Sequence, residues 1–228
     1  PVRIVVAHHS ASRNSYDADD VPAEIDAIYH YHTLSQGWGD IAYNAIVDRF
    51  GNIYEGRHGR GGDPGDAGPR ELLSASIVAG HAHNHEYGSA GVVLLGDATV
   101  DDWPMAGPEG PMWEALVRYC AFETGRQFLR VVEGDAKPAR SDFRRTDGAW
   151  DDKVPSLVEH QAVEQTFCPG EPVIALLPDL RADVASVTTA LVPVAAGVEL
   201  ANVEPGGRET SVGTRITYRW APPPLPAG

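Results

Sequence analysis

The sequence predicts an α/β fold, because short β-branched runs alternate along the chain with segments whose apolar residues recur at helical spacing. Its 228 residues, 43% of them hydrophobic, suffice for one well-filled domain or for one domain with a modest appendage. Two cysteines are too few for a disulfide-stapled miniprotein.

The first quarter of the chain predicts a strand, a helix and a hairpin. Residues 3–7 form a β-branched run that ends at His8, so we expect a buried strand that delivers its last residues to an edge of a sheet. Residues 22–32 begin with proline and carry apolar residues on one face, which predicts a helix that ends near Gly37. Residues 41–47 and 53–55 flank a Gly-Asn turn and predict a hairpin.

Further elements follow in the same alternating order. Residues 56–74 contain too many glycines for a helix or strand and predict an irregular loop. We expect strands at 77–79, 90–95, 128–132 and 157–159, a second helix at 110–124, and a charged surface excursion over 126–153.

The carboxy-terminal part predicts a change of structure. A short helix is expected near 173–177, with a continuation toward 184. Residues 186–220 alternate β-formers with turns and predict a β-ribbon extension packed on or beside the domain, and the Pro-rich residues 221–228 predict a linker or terminus.

The charge excludes one class of partner. A formal net charge of −14 lacks the electrostatic footprint of a nucleic-acid-binding protein. No apolar run approaches the length of a membrane span, and no signal peptide is recognisable at the start of this sequence.

Two sets of residues are candidate metal ligands. The first is His8, at the end of the first strand, with His160 and Cys168; two imidazoles and a thiolate would leave zinc an open fourth position. Spacing alone favours a buried core histidine and a buried thiol over this site. The second set is His81, His83 and His85, which is similar to the metal signature of metallo-β-lactamase-like hydrolases but lacks its Asp-His step, so a solvated loop is the stronger interpretation.

An ordered series of motifs indicates a family. They are residues 5–10 (VVAHHS), His32 with 37–44 (GWGDIAYN), 51–57 (GNIYEGR), 80–81 (GH), 89–96 (SAGVVLLG) and His160 with 166–169 (TFCP). This order resembles the zinc-dependent type-2 N-acetylmuramoyl-L-alanine amidases, a family that includes phage lysozymes of the amidase type and the peptidoglycan recognition proteins. The resemblance covers about residues 3–180.

The resemblance implies a fold and a set of site residues. The fold is a central mixed sheet flanked by helices, with residues 1–185 as the catalytic domain. The implied zinc ligands are His8, chosen over His9, together with His160 and Cys168, and the implied catalytic residues are Tyr43 and Thr166. Thr166 is not a plausible general acid, so Tyr43 or zinc-bound water would have to protonate the leaving amine.

Other residues are expected around this site. Trp38, Arg57, His81 and Asn84 are candidate substrate contacts, although Trp38 and Arg57 are equally compatible with structural roles. His32 is expected to support Tyr43 or the metal ligands. We also expect basic surface near the groove, around Arg57, Arg60 and Arg70.

The implied function is hydrolysis of the amide between N-acetylmuramic acid and L-alanine in peptidoglycan, with Zn²⁺ as cofactor. The alternatives are a recognition module that binds muropeptides without cleaving them and a metallohydrolase built on His81 to His85. We expect action at the bacterial cell wall, as a secreted autolysin or a phage endolysin, and either a monomer or part of a larger multidomain lysin.

Overall fold

The computed structural model describes residues 2–57, 77–83, 85–127, 129, 131 and 155–195. Its centre is a five-stranded mixed sheet, and the α/β fold predicted from the sequence is confirmed. The strands are β1 (Ile4–His9), β2 (Ala45–Val47), β3 (Ile53–Glu55), β4 (Ser89–Leu94) and β5 (Leu157–Glu159), arranged in the order β3-β2-β4-β1-β5.

Helices cover both faces of the sheet. The helices are α1 (Val21–His30), which continues as a π-helical turn (Tyr31–Ser35), then α2 (Pro111–Arg126), α3 (Glu171–Ala175) and α4 (Leu177–Ala195). Apolar residues of α1 pack with Ile46 and Val93 on one face, whereas α2, α3 and α4 pack with Val5 and Val92 on the other.

Parallel pairing brings the carboxyl ends of four strands, β1, β2, β4 and β5, to one edge of the sheet. β1 pairs in parallel with β4 on one side and with β5 on the other, and only β3 runs antiparallel, to β2. Ala7 lies opposite Val92 and Glu159, so the residues that follow β5 emerge beside His8. Polar side chains after these strands therefore share one end of the sheet.

Two of the sequence predictions are wrong. Residues 77–79 form no strand, and residues 186–195, expected in the β extension, continue α4. Leu177, Leu180 and Val184 are buried in the core at helical spacing, and this packing overrides the β preference of the Val- and Thr-rich segment that follows. Most of the excursion at 126–153 and all of residues 196–228 lie outside the described residues.

Among the residues that the structure describes, no helix is both long enough and apolar enough to cross a membrane.

The core between α2 and the sheet should dominate stability. Leu116 is fully buried, and we expect Leu116→Ala to lower the free energy of unfolding by about 2–5 kcal/mol, because it removes apolar contacts and leaves a cavity. The matched change Leu34→Ala alters an exposed side chain and should stay within about 0.5 kcal/mol. Denaturant unfolding of both variants measures the difference; equal losses would contradict this assignment of the core.

Candidate metal centre

Three donor side chains meet at the carboxyl ends of β1 and β5. His8 lies near the end of β1, His160 follows β5, and Cys168 precedes α3. One ligand atom from each of the three lies within 4.8 Å of the other two, and His8 Nδ1 is 3.7 Å from Cys168 Sγ. Of the His, Cys, Asp and Glu residues in the described ranges, these three are the group that could hold a metal ion.

Strand alternation explains why His8 and not His9 joins this group. Ile4, Val6 and His8 share one face of β1, and His9 faces the α2 side. His9 Nδ1 accepts a hydrogen bond from the Ala98 backbone N–H at 3.1 Å and lies 3.3 Å from an Asp97 oxygen. His9 thus stabilises the loop after β4.

A chain of hydrogen bonds sets the tautomer of His8. The Ser89 hydroxyl donates to the backbone carbonyl of His85 at 2.5 Å and accepts from His81 Nε2–H at 3.0 Å. His81 Nδ1 then accepts from His8 Nε2–H, also at 3.0 Å. Because Nε2 of His8 carries the proton, its Nδ1 presents a lone pair toward Cys168.

His160 has a different partner. Its Nε2–H donates to Glu164 Oε2 at 2.7 Å, and the same oxygen accepts the His83 backbone N–H at 2.9 Å. Nδ1 of His160 is buried and, in the described part of the chain, has no hydrogen-bond partner. The nitrogen available for a metal is therefore Nδ1, as in His8.

The electrostatics suit a cation. Burial, reinforced by neighbouring imidazoles, lowers the pKa of His8 well below its usual value, and burial also lowers the pKa of His160, so both rings are neutral donors at pH 7. Burial raises the pKa of the Cys168 thiol to about 12, although the His9 backbone N–H at 3.4 Å opposes that shift. A bound cation would supply the charge that a thiolate needs here.

Tyr43 and Thr166 both lie beside these donors. The Tyr43 ring packs 5.3 Å from the His8 ring between centroids, and burial, then Cys168, raises the pKa of its hydroxyl. Thr166 Oγ1 accepts the Cys168 backbone N–H at 3.2 Å, so its own hydroxyl hydrogen remains free to donate.

Backbone pairing holds Tyr43 in place. The backbone N–H of Arg57 donates to the carbonyl of Tyr43 at 2.6 Å, and the N–H of Gly56 donates to Asn44 at 2.9 Å. A side chain at position 56 would collide with the Tyr43 carbonyl, which explains the glycine.

His32 lies next to Tyr43. Its ring packs 5.5 Å from the Tyr43 ring and 5.0 Å from the Trp38 ring. Its Nδ1 accepts the backbone N–H of Ala42 at 3.1 Å.

Of the four expected substrate contacts, Trp38 is about half exposed near the site. Arg57 is occupied internally, since its guanidinium donates to the carbonyls of Trp38, Asp40 and Ile41 at 3.0–3.2 Å. His81 is buried behind His8, which differs from the expected position in a groove. Asn84, Arg60 and Arg70 lie outside the described residues.

The second histidine cluster does not converge on one point in the described structure. His81 is buried against His8, and His83 is exposed. His85 Nδ1 contacts the His83 backbone carbonyl at 3.1 Å. His81, His83 and His85 therefore lie in a loop and not on one face of a strand.

Sequence reasoning missed two residues of this site, Glu164 and Ser89. Glu164 follows His160 by four residues, a spacing that places two side chains on one face of a helical turn, and this signal could have found it. Ser89 lies in the motif at 89–96, but no spacing along the chain links it to His81, because only the fold brings the two together.

Comparison with known proteins gives relatives of one kind. No family model matches the chain. Peptidoglycan-recognition protein LB of Drosophila melanogaster is 26% identical over 171 residues, which cover 75% of this chain and 55% of that protein. The N-acetylmuramoyl-L-alanine amidase of Homo sapiens is 25% identical over 179 residues, 78% of this chain and 24% of that protein. These relatives are peptidoglycan recognition proteins and N-acetylmuramoyl-L-alanine amidases, and they support the resemblance that the motifs of the chain indicate.

Solved structures of this family share the fold. The superposition on Drosophila PGRP-LB has a TM-score of 0.51 at 23% identity and covers 78% of this chain and 79% of the PGRP-LB chain. Drosophila peptidoglycan recognition protein SD has a TM-score of 0.52 at 19% identity, with the same coverage. The matched regions span 24–55% of the length of the first curated relatives.

The position of His81 should depend on the absence of a side chain at Gly91. An added Cβ there would lie closer to the His81 ring than van der Waals contact allows, so Gly91→Ala should displace His81 from His8, lower the free energy of unfolding by about 1–3 kcal/mol and weaken any metal binding at the candidate site.

The matched control is Gly125→Ala in α2, where an added Cβ meets nothing within 4 Å. This change should be neutral or stabilise the protein by up to about 1 kcal/mol. Unfolding and chelator-competition measurements on both variants test the pair, and an unperturbed Gly91→Ala protein would refute the packing argument.

Proposed function

We propose that this chain is a zinc-dependent N-acetylmuramoyl-L-alanine amidase that cleaves the amide between N-acetylmuramic acid and L-alanine in peptidoglycan. The observation that carries the proposal is the convergence of His8, His160 and Cys168, with both imidazoles oriented to present Nδ1, next to Tyr43. The family supplies the substrate class, since its members are named for peptidoglycan recognition or for this amidase reaction.

The donor set fits zinc. Tetrahedral zinc at its usual bond lengths separates a nitrogen ligand from a sulfur ligand by about 3.6 Å. His8 Nδ1 and Cys168 Sγ are 3.7 Å apart. The buried, unpartnered Nδ1 of His160 and a sulfur next to two neutral imidazoles suit a borderline-soft cation better than Ca²⁺ or Mg²⁺, which take oxygen ligands.

The protein residues would divide the work of amide hydrolysis. Zinc, when bound, supplies a Lewis acid that polarises the scissile carbonyl and lowers the pKa of water. The Tyr43 hydroxyl stays protonated at neutral pH because burial raises its pKa, so it can donate a hydrogen bond to the oxyanion that develops on the carbonyl. Thr166, whose oxygen accepts the Cys168 N–H, has its hydrogen available for the same oxyanion.

Proton delivery to the leaving amine falls to Tyr43 or to water in this proposal. Threonine is too weak an acid for that role. The packing of the Tyr43 ring 5.3 Å from the His8 ring, measured between centroids, supports this role.

A recognition module that binds muropeptides without cleaving them is the second candidate. The family includes both proteins named for recognition and proteins named as amidases. The complete donor set with Cys168 favours the enzyme. The proposed setting is the bacterial cell wall, with the chain acting as a monomer or within a larger multidomain lysin.

Digestion of purified sacculi tests the proposal directly. The zinc-loaded protein should generate new L-alanine amino termini, detected by mass spectrometry of the released fragments. Binding to sacculi without new termini would support the recognition module instead.

Removal of one ligand should abolish both zinc binding and hydrolysis. Cys168→Ser replaces the only sulfur in the donor set, and we expect stoichiometric zinc to be lost along with release of L-alanine termini. Cys120→Ala is the matched control, because Cys120 is a buried core thiol in α2. His83→Ala should also keep zinc; loss of zinc in that variant alone would instead favour the site built on the second histidine cluster.

Loss of the Tyr43 hydroxyl should affect catalysis and not the metal. Tyr43→Phe removes the proposed oxyanion donor, so kcat should fall by about 10²–10³-fold. Zinc content should remain that of the parent, since Tyr43 is not a proposed ligand. Tyr29→Phe, the same chemical change in α1, should leave kcat unchanged. A parental kcat in Tyr43→Phe would remove Tyr43 from the mechanism.

A further inference from the structure

We propose that Glu164 is a positioning residue of the metal centre: its carboxylate fixes the His160 ring so that Nδ1 is presented to the ion. This inference rests on the zinc site of the proposed function and adds to it a residue outside the motif that identified the family. Glu164 would act through His160 and would contact neither zinc nor substrate.

The hydrogen bonds leave one role for each nitrogen of His160. Nε2 lies 2.7 Å from Glu164 Oε2, a short distance typical of a charge-assisted hydrogen bond. A carboxylate accepts hydrogen bonds only, so Nε2 carries the proton and Nδ1 holds a lone pair. That lone pair is buried and, within the described residues, meets no donor. A buried acceptor without a hydrogen-bond donor is costly unless it binds another group. The adjacent ligand atoms of His8 and Cys168 make a metal ion the group that this lone pair would bind.

Glu164 is itself fixed in position. Its backbone N–H donates to the carbonyl of His160 at 3.0 Å, which closes one helical turn and places the two side chains on the same face. The same carboxylate oxygen also accepts the backbone N–H of His83 at 2.9 Å. Two donors from different segments converge on one oxygen, and this arrangement restricts the rotamers that Glu164 can adopt.

Burial separates this contact from an ordinary surface ion pair. The His160 side chain is only 14% exposed and that of Glu164 only 26%, so solvent screens the bond weakly. The exposed pair of His30 with Asp26 in α1 has the same four-residue spacing, but its side chains are 55% and 63% exposed, and within the described residues it belongs to no group that could hold a metal ion. Spacing alone does not make a positioning residue; burial next to the donors does.

The two imidazoles are oriented by chemically different partners. His8 donates to His81, a neutral ring whose pKa burial lowers to about 3, whereas His160 donates to a carboxylate. A carboxylate partner makes an imidazole a stronger ligand than a neutral one does. Loss of the Glu164 carboxylate should therefore weaken zinc binding through both orientation and ligand strength.

The test measures zinc affinity of the full chain by competition with a chelator. Glu164→Ala removes the acceptor and its charge, and we expect zinc affinity to fall by about 10–100-fold. Glu164→Gln keeps an acceptor oxygen on a side chain of the same length but removes the charge, so its affinity should lie between those of Glu164→Ala and the parent. Glu109→Gln, which neutralises an exposed glutamate in the loop before α2, should match the parent.

A second readout separates orientation from general destabilisation. Long-range ¹H–¹⁵N spectra of the folded chain report which nitrogen of His160 carries the proton. The parent should show Nε2–H, and Glu164→Ala should show a mixture of tautomers. A merely structural role for Glu164 would change the unfolding midpoint without changing this ratio.

The outcomes are distinct. Zinc affinity of Glu164→Ala within twofold of the parent, or an unchanged tautomer ratio, would overturn the proposal. If Glu164→Ala does not fold, Glu164→Gln decides alone, and parental zinc affinity with a parental tautomer ratio in that variant would overturn the role of the carboxylate. A parent chain that binds no zinc would refute the proposed function as well, and this result is recognisable because it precedes any variant.

Discussion

The parallel pairing of β1 with β5 is the constraint on which the site depends. Ala7 lies opposite Glu159 in this register. His8 follows Ala7 and His160 follows Glu159, so the two histidines lie side by side. A shift of one residue would turn the side chains of β1 to the opposite face and exchange His8 for His9. In the same register Val5 and Ala7 pack in the core on the α2 side of the sheet. The packing of β1 in the core and the candidate metal centre therefore depend on the same alignment.

A second level of organisation surrounds the three donors. The neutral chain of His81 and Ser89 orients His8, the Glu164 carboxylate contacts His160, and the backbone N–H of His9 contacts Cys168. These partners come from four separate segments. A neutral imidazole carries one proton, and its hydrogen-bond partner decides which ring nitrogen holds that proton. The other nitrogen is then the one that can bind a metal. The geometry of the donors therefore depends on residues that no metal would touch.

Several roles inferred from motifs changed once the side chains were placed. Arg57 donates its guanidinium hydrogens to the carbonyls of the loop that begins at Trp38, so it stabilises the approach to Tyr43. His81 lies in the interior, although a His-rich loop normally indicates exposure. The helical segment 186–195 has a local preference for strand that the core packing of α4 overrides. In each case the deciding contact joins residues far apart in sequence.

The sequence by itself determined the α/β class and most of the strands and helices, and the resemblance of its motifs to the amidases implied the three residues whose donor atoms converge. Those features depend on local hydrophobic periodicity and on motifs in a fixed order, and both can be read along the chain. Only the tertiary structure decided which nitrogen of each histidine faces the donors, that Glu164 and Ser89 belong to the site, and that Arg57 and His81 are turned inward. Hydrogen-bond direction and burial are properties of the folded surroundings: they depend on partners such as His8 and His81, which are separated by 73 residues.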